Sequence, residues 1–268
     1  MIEEILSAAP LFLLLAARAL AMIETSPLLS SESNPQVARI ALAGFAAYAA
    51  FPSTQAINVQ GMELLSFGFF LLLAGEAIIG IIMGFFITMI FAAFSTAGQF
   101  FSLPMGFSAA ETMDPVSQTE NPLMGQYLNL VAMMVFLSMN GFRELFLGGF
   151  WRSVQSINIA SLAAGREAVT GMILSGLSRL FLDAMVIALP ILGTLFLTSL
   201  ATGLISKAAP QVNILTEGFP IAITVAFWLI LTILPFMVQA FGRVIDSGFA
   251  TIQNLLIEIG QPIMGGGT

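Results

Sequence analysis

The sequence predicts an all-α protein built of long hydrophobic helices and associated with a membrane. Three observations carry that expectation. Hydrophobic residues make up 58% of the 268 and charged residues only 9%, and the mean hydropathy of +0.97 lies far outside the range of soluble globular domains. Charge-free runs cover 40–62, 77–110, 121–142, 184–206 and 218–242, each long enough for the roughly 20 apolar residues that a bilayer-spanning helix needs. Between the apolar runs stand polar breaks marked by Pro, Gly, Ser and Asn, such as ETSPLLSSESNPQ, which read as loops. Five or six hydrophobic helices follow.

The same composition removes several classes of function. The chain has no Cys and no His, so disulfides, thiolate chemistry and the commonest general base and metal ligand are absent. A formal net charge of -7 argues against nucleic acid, which needs clustered cations to neutralise phosphates. Arg18, Arg39, Arg143, Arg152, Arg166, Arg179, Lys207 and Arg243 are scattered and give only a weak positive-inside signal.

Taken in order, the first segment opens MIEE, acidic where a signal peptide needs a basic start, so it is expected to be a helix from about Ile5 to Ile23 with Arg18 near its end. A second apolar segment runs from about Val37 to Phe51 and stops at Pro52. The third, about Met62 to Phe101, would make roughly 60 Å of helix, twice the hydrocarbon thickness. It either breaks at a glycine or runs on packed against protein. Within it, Gly80 and Gly84 form a G-x-x-x-G step that lets another helix approach closely.

A fourth segment, Leu123 to Met139, ends at Asn140 and Gly141. The stretch FRELFLGGFWRSVQSINIA mixes charge with aromatics and reads as an amphipathic or interfacial helix anchored by Trp151 and Arg152. After a polar break at Ala164 to Glu167 come two long segments, about Ala168 to Ile205 and Phe219 to Ile259, joined by SKAAPQVNILTEGFP. They read as an αα-hairpin. The domain expectation is an N-terminal helical part, 1–160, and a C-terminal long hairpin, 161–268, with its turn at about 206–219.

Catalytic patterns are missing. No H-E-x-x-H, no Ser with a His and no G-x-G-D aspartate pair occurs in the sequence, so no catalytic residue, metal site or cofactor is assigned. Glu76 lies alone in an apolar run, and an unpaired acid at membrane depth is costly, so it requires a partner from elsewhere or a wet interior. Arg179 and Asp183, four apart on one helix, can neutralise one another; an ion pair easing insertion is one reading, a contact to a neighbouring subunit the other.

The segment QFFSLPMGFSAAETMDPVSQTENPLMGQ interrupts two apolar helices with Glu111, Asp114 and Glu120 and no basic residue. As a plain connector it is a solvated face. Its length raises a second reading beside that one, a segment folded into a polar cavity among helices. Gly106 would supply backbone freedom, and Met105 and Phe107 a deformable apolar seal.

At three places the chain resembles the FliR family, called SctT in injectisomes, export-gate subunits of bacterial type III secretion systems. These are SLPMGFSAAETMDPVSQTENPLMGQ with Asp114-Pro115 and Pro122, NGFRELFLGGFWRS, and APQVNILTEGFPI with Pro210-Gln211, Asn213 and Gly218-Phe219-Pro220. The hydrophobic layout matches over essentially the whole chain. Two positions depart from the family pattern, Phe142 and Lys207, where a polar residue such as His and an Arg are usual.

The resemblance implies a non-enzymatic subunit of the flagellar protein-export gate in the bacterial inner membrane, at the flagellar basal body. It implies one copy of this chain assembled with FliP-like and FliQ-like subunits into a closed helical pore that passes unfolded substrates, with FlhB/FlhA-like export proteins as further partners. The first part of the chain would resemble FliP and the last hairpin FliQ. It also implies that the loop at about 104–122 plugs the pore, through Pro104, Met105, Gly106, Phe107, Ser108, Ala109, Ala110, Glu111, Thr112, Met113, Asp114, Pro115, Asn121 and Pro122. Lys207, Pro210, Gln211, Asn213, Gly218, Phe219 and Pro220 would form the hairpin turn or a subunit contact. Two alternatives remain on the residues alone. A secondary transporter of a small solute would need repeated halves and midplane ionisable groups, and no repeat is evident; a purely structural scaffold would differ only in the role of the loop.

Overall fold

The computed structural model describes residues 2–30, 34–53, 66–106, 123–208 and 214–260, and among them it is helical with no strand. Helix α1 spans Ile2–Thr25 and α2 Gln36–Ala50. A 3-10 turn, Phe51–Ser53, finishes α2 where Pro52 withholds an N–H. Helix α3, Phe67–Met105, is 39 residues long and unbroken. Of the two courses open to the third segment, it takes the one without a glycine break.

Helix α4 spans Leu123–Ser138. Asn140 then adopts a left-handed conformation, φ 56°, which a short polar side chain tolerates, and a new helix starts at Gly141. This helix, α5, covers Gly141–Ser156, and its middle, Glu144–Trp151, is wound as a π-helix around the Gly148-Gly149 pair. It stops at Ile157. The short α6, Ile159–Ala164, carries a capping box in which the Asn158 carboxamide accepts from the Ser161 N–H at 2.7 Å and the Ser161 hydroxyl accepts from the Asn158 N–H at 2.9 Å. The expected single interfacial helix is therefore two, because Asn158 is a better cap than helix interior.

Helices α7, Arg166–Ala208, and α8, Ile214–Gly260, are 43 and 47 residues long. Both contain prolines, Pro190 in α7 and Pro220 and Pro235 in α8. Along α7 the hydroxyls of Thr194, Thr198, Ser199 and Thr202 each donate to the carbonyl four residues back. Among the described residues three helices, α3, α7 and α8, are long and apolar enough to cross a membrane, or four spans if the bent pair α4 and α5 counts as one.

The chain divides into two compact units. One comprises 1–89, 140–176 and 246–268, the other 90–139 and 177–245. In the first, α1 crosses α3 at the Gly80 and Gly84 step: a side chain on Gly80 would strike the Arg18 carbonyl, and one on Gly84 the Met22 carbonyl and the Thr25 hydroxyl. The Thr88 hydroxyl donates to the Thr25 carbonyl at 2.6 Å beside that crossing. Alanines 43, 46, 47 and 50 form the buried face of α2, and α2 packs on α1. In the second unit phenylalanines dominate: Phe91 stacks edge-on with Phe94 and Phe136, and Phe94 tilts onto Phe241 with centroids 4.5 Å apart. There α3 and α4 meet backbone to backbone at Gly98 and Gly125.

Candidate functional site

The acid that needed a partner has one. Glu76 and Arg18 are both buried, and the Arg18 Nε donates to Glu76 Oε2 at 2.5 Å. The rest of the guanidinium is also used: Nη1 donates to the Ser153 hydroxyl at 3.3 Å and Nη2 to the Ile157 carbonyl at 3.1 Å. Ser153 in turn donates to the Phe150 carbonyl at 2.7 Å. One planar cation thus joins α1, α3 and the end of α5, as a fork of fixed donors can and a point charge cannot. Sequence spacing gave no hint of this pairing, since the two residues are 58 positions apart; the signal available was that a lone intramembrane acid requires a cation.

A second polar tie holds α5 to α8 in the same unit. Gln253 Nε2 donates to Glu144 Oε2 at 3.3 Å, and Arg152 Nη1 donates to Gln253 Oε1 at 3.1 Å. Gly148 makes room for it, because a Cβ there would meet both the Gln253 amide and the Glu144 carboxylate. Arg152 is thereby engaged by protein. Among the described residues no three acidic side chains converge on one point that could hold a metal ion.

The loop and turn residues singled out by the sequence are placed as follows. Pro104 and Met105 form the last turn of α3 rather than part of the connection; Met105 is fully buried and Pro104 exposed. Gly106 follows with φ +86°, a left-handed conformation that glycine alone adopts freely. The ring of Phe219 occupies the space that a side chain on Gly106 would take. Two motifs more than a hundred residues apart in sequence, PMGF and EGFP, therefore touch. One turn before, Ser102 is buried and its hydroxyl has no hydrogen-bond partner among the described residues. Phe107, Ser108, Ala109, Ala110, Glu111, Thr112, Met113, Asp114, Pro115, Asn121 and Pro122 lie outside the described residues, as do Pro210, Gln211 and Asn213. Lys207 is exposed in the last turn of α7, and Gly218, Phe219 and Pro220 lie inside α8. Helix winding continues through Pro220 because an apolar helix gains more by keeping its other backbone bonds internal than it loses at one missing N–H.

Helices α7 and α8 leave most of their apolar surface uncovered. Of their most apolar 18-residue stretches, 33% and 22% are buried, against 61% for α3. Phe181, Phe196, Leu197, Trp228 and Phe236 are among the exposed residues.

Residues 9–248 match the family described as bacterial export proteins, family 1. The chain belongs to that family. Curated members similar to it include the flagellar biosynthetic protein FliR of Bacillus subtilis, 30% identical over 260 residues that cover 96% of this chain and 99% of the relative. FliR of Escherichia coli is 32% identical over 242 residues, 90% of this chain and 89% of that one. The Yop proteins translocation protein T of Yersinia pestis is 28% identical over 170 residues, 63% and 65% of the two chains. The family match thus spans α1 through most of α8.

Proposed function

We propose that this chain is a subunit of the flagellar type III protein-export gate, assembling with FliP-like and FliQ-like subunits into a closed helical pore that passes unfolded chains. Its seat would be the bacterial inner membrane at the flagellar basal body, next to FlhB/FlhA-like export proteins. Its part in export would be to form a conduit, with no bond-making step of its own. The family membership supports the export assignment. The observation that carries the oligomeric pore is the mismatch on α7 and α8. At 43 and 47 residues they are roughly 65 and 70 Å long, against a hydrocarbon core of about 30 Å. On α7 the exposed large apolar residues run from Leu174 to Ile205, roughly 47 Å of helix, and apolar surface that outruns a bilayer calls for other helices to cover it.

Within this reading the segment after Gly106 is the plug. Support comes from its two flanking features, a helix that ends on a buried methionine and a left-handed glycine held against Phe219. Met and Phe side chains can seal against small solutes and still yield to a passing chain.

Native mass spectrometry on the tagged chain, co-expressed with the FliP-like and FliQ-like genes of its operon, tests the assembly. A single heavy complex with one copy of this chain is expected. A lone monomer or homodimer beside unbound partners sinks the gate and favours a small-solute transporter. Deleting residues 106–120 tests the plug: assembly should persist while the membrane leaks small ions, and unchanged impermeability refutes that role.

A further inference from the structure

Arg143 and Arg152 stand nine residues apart on α5. In an α-helix that is about two and a half turns, which places two side chains on opposite faces. The stretch between them, Glu144–Trp151, is a π-helix, whose wider turn takes in about four to five residues, so nine residues make about two turns and return to one face. Exposure follows the π register. Arg143, Leu147 and Arg152 are exposed, one to a turn, while Leu145, Gly149, Phe150 and Val154 are buried. Along one edge of that stripe run Phe142, 36% exposed, and the half-buried Phe146 and Trp151. Two guanidiniums therefore share an exposed face with three aromatic rings.

The nearest acid is already occupied. Glu144 accepts from the Gln253 amide on α8, and Arg152 gives one branch of its guanidinium to the same glutamine, which steadies the arginine without covering it. Arg143 has no ion pair among the described residues. In a chain of net charge -7 such a face is an exception, and its complement is negative. Aromatic rings, tryptophan above all, settle at the headgroup level of a bilayer. Long arginine side chains reach from there to phosphates, which take the guanidinium fork through two hydrogen bonds. We propose that α5 lies against the membrane surface on this face and that Arg143 and Arg152 bind the headgroup of an anionic phospholipid. The π winding assembles the site, since plain α winding would leave one arginine on each side of the helix.

The chain has two tryptophans, Trp151 and Trp228, so Trp228→Phe leaves Trp151 as the sole fluorescent reporter of this face. The full-length chain with that change is reconstituted into phosphatidylcholine vesicles in which a small share of the lipid carries bromine high on its acyl chains. That share is either phosphatidylglycerol or phosphatidylcholine, and bromine quenches a tryptophan it touches. Brominated phosphatidylglycerol should quench Trp151 with an apparent affinity about fivefold above that of brominated phosphatidylcholine, the preference that corresponds to one cation held near an anionic surface. High salt should weaken the preference. Arg143→Gln, at an exposed position, should reduce it, and Arg143→Gln with Arg152→Gln should bring it to about one. Equal quenching by the two lipids in the parent overturns the proposal, because the face would then meet the bilayer without choosing a headgroup. Quenching by neither overturns it too, since protein would cover the face. A preference that survives the double substitution puts the anion site elsewhere and overturns it as well.

Discussion

Two arginine–carboxylate pairs of the same chemistry sit in different parts of this molecule. Arg18 and Glu76, from helices distant in sequence, are 0% and 2% exposed and meet at 2.5 Å, with every branch of the guanidinium engaged. Arg179 and Asp183, four residues apart on α7, are 52% and 20% exposed and only 3.7 Å apart. Burial decides what each can do. The first holds three elements in one arrangement and becomes a liability if either partner is lost. The second neutralises charge along a single helix and leaves the helix face free. The contrast extends to the packing around them, which is glycine-mediated and tight at the α1–α3 crossing and lined by exposed Leu and Phe on α7.

The sharpest break of this contrast is Glu76→Ala. It strands a buried guanidinium, which costs about 3–5 kcal/mol, so the variant should fail to accumulate in membranes and should lose thermal stability in detergent by far more than any change at Asp183. A wild-type thermal midpoint would mean that water or lipid headgroups reach Arg18. Next comes Gly98→Leu, where the added side chain meets the Gly125 backbone and overpacking costs about 1–3 kcal/mol. Gly193→Ala is its control, since nothing lies within 4 Å of the new Cβ and a helical alanine gains about 0.5–1 kcal/mol over glycine. Equal melting shifts for the two would show that α3 and α4 do not approach as closely as observed. Smallest is Asp183→Asn, expected to change the stability of the isolated chain by less than about 1 kcal/mol. A loss of partner subunits from the purified complex on that change would assign the pair to an interface instead.

Much of the fold was legible because apolar runs and breakers have local causes. Pro52, Asn140 and the length of the third segment each placed a helix end or a helix extent to within a few residues. Gly80 and Gly84 announced a close approach without saying which helix would make it, since a small-residue step carries no address. The same holds for Glu76: its need of a cation follows from composition, but the choice of Arg18 from among eight basic residues is tertiary. The Gln253 tie over Gly148 and the meeting of Gly106 with Phe219 were invisible for that reason too. Helix α3 ran on through Pro104 and α8 through Pro220 because backbone bonds within an apolar helix outweigh one lost donor, a balance that turn signals read from soluble proteins misjudge.

The row of hydroxyls on α7 has a consequence for what the helix shows its surroundings. Thr194, Thr198, Ser199 and Thr202 each spend their donor on a carbonyl of their own helix, as side chains of this kind do when no better acceptor is near. A neighbouring acyl chain or apolar helix then meets the methyl groups of the threonines, which resemble those of valine. The hydropathy of the letters understates how oily this face is.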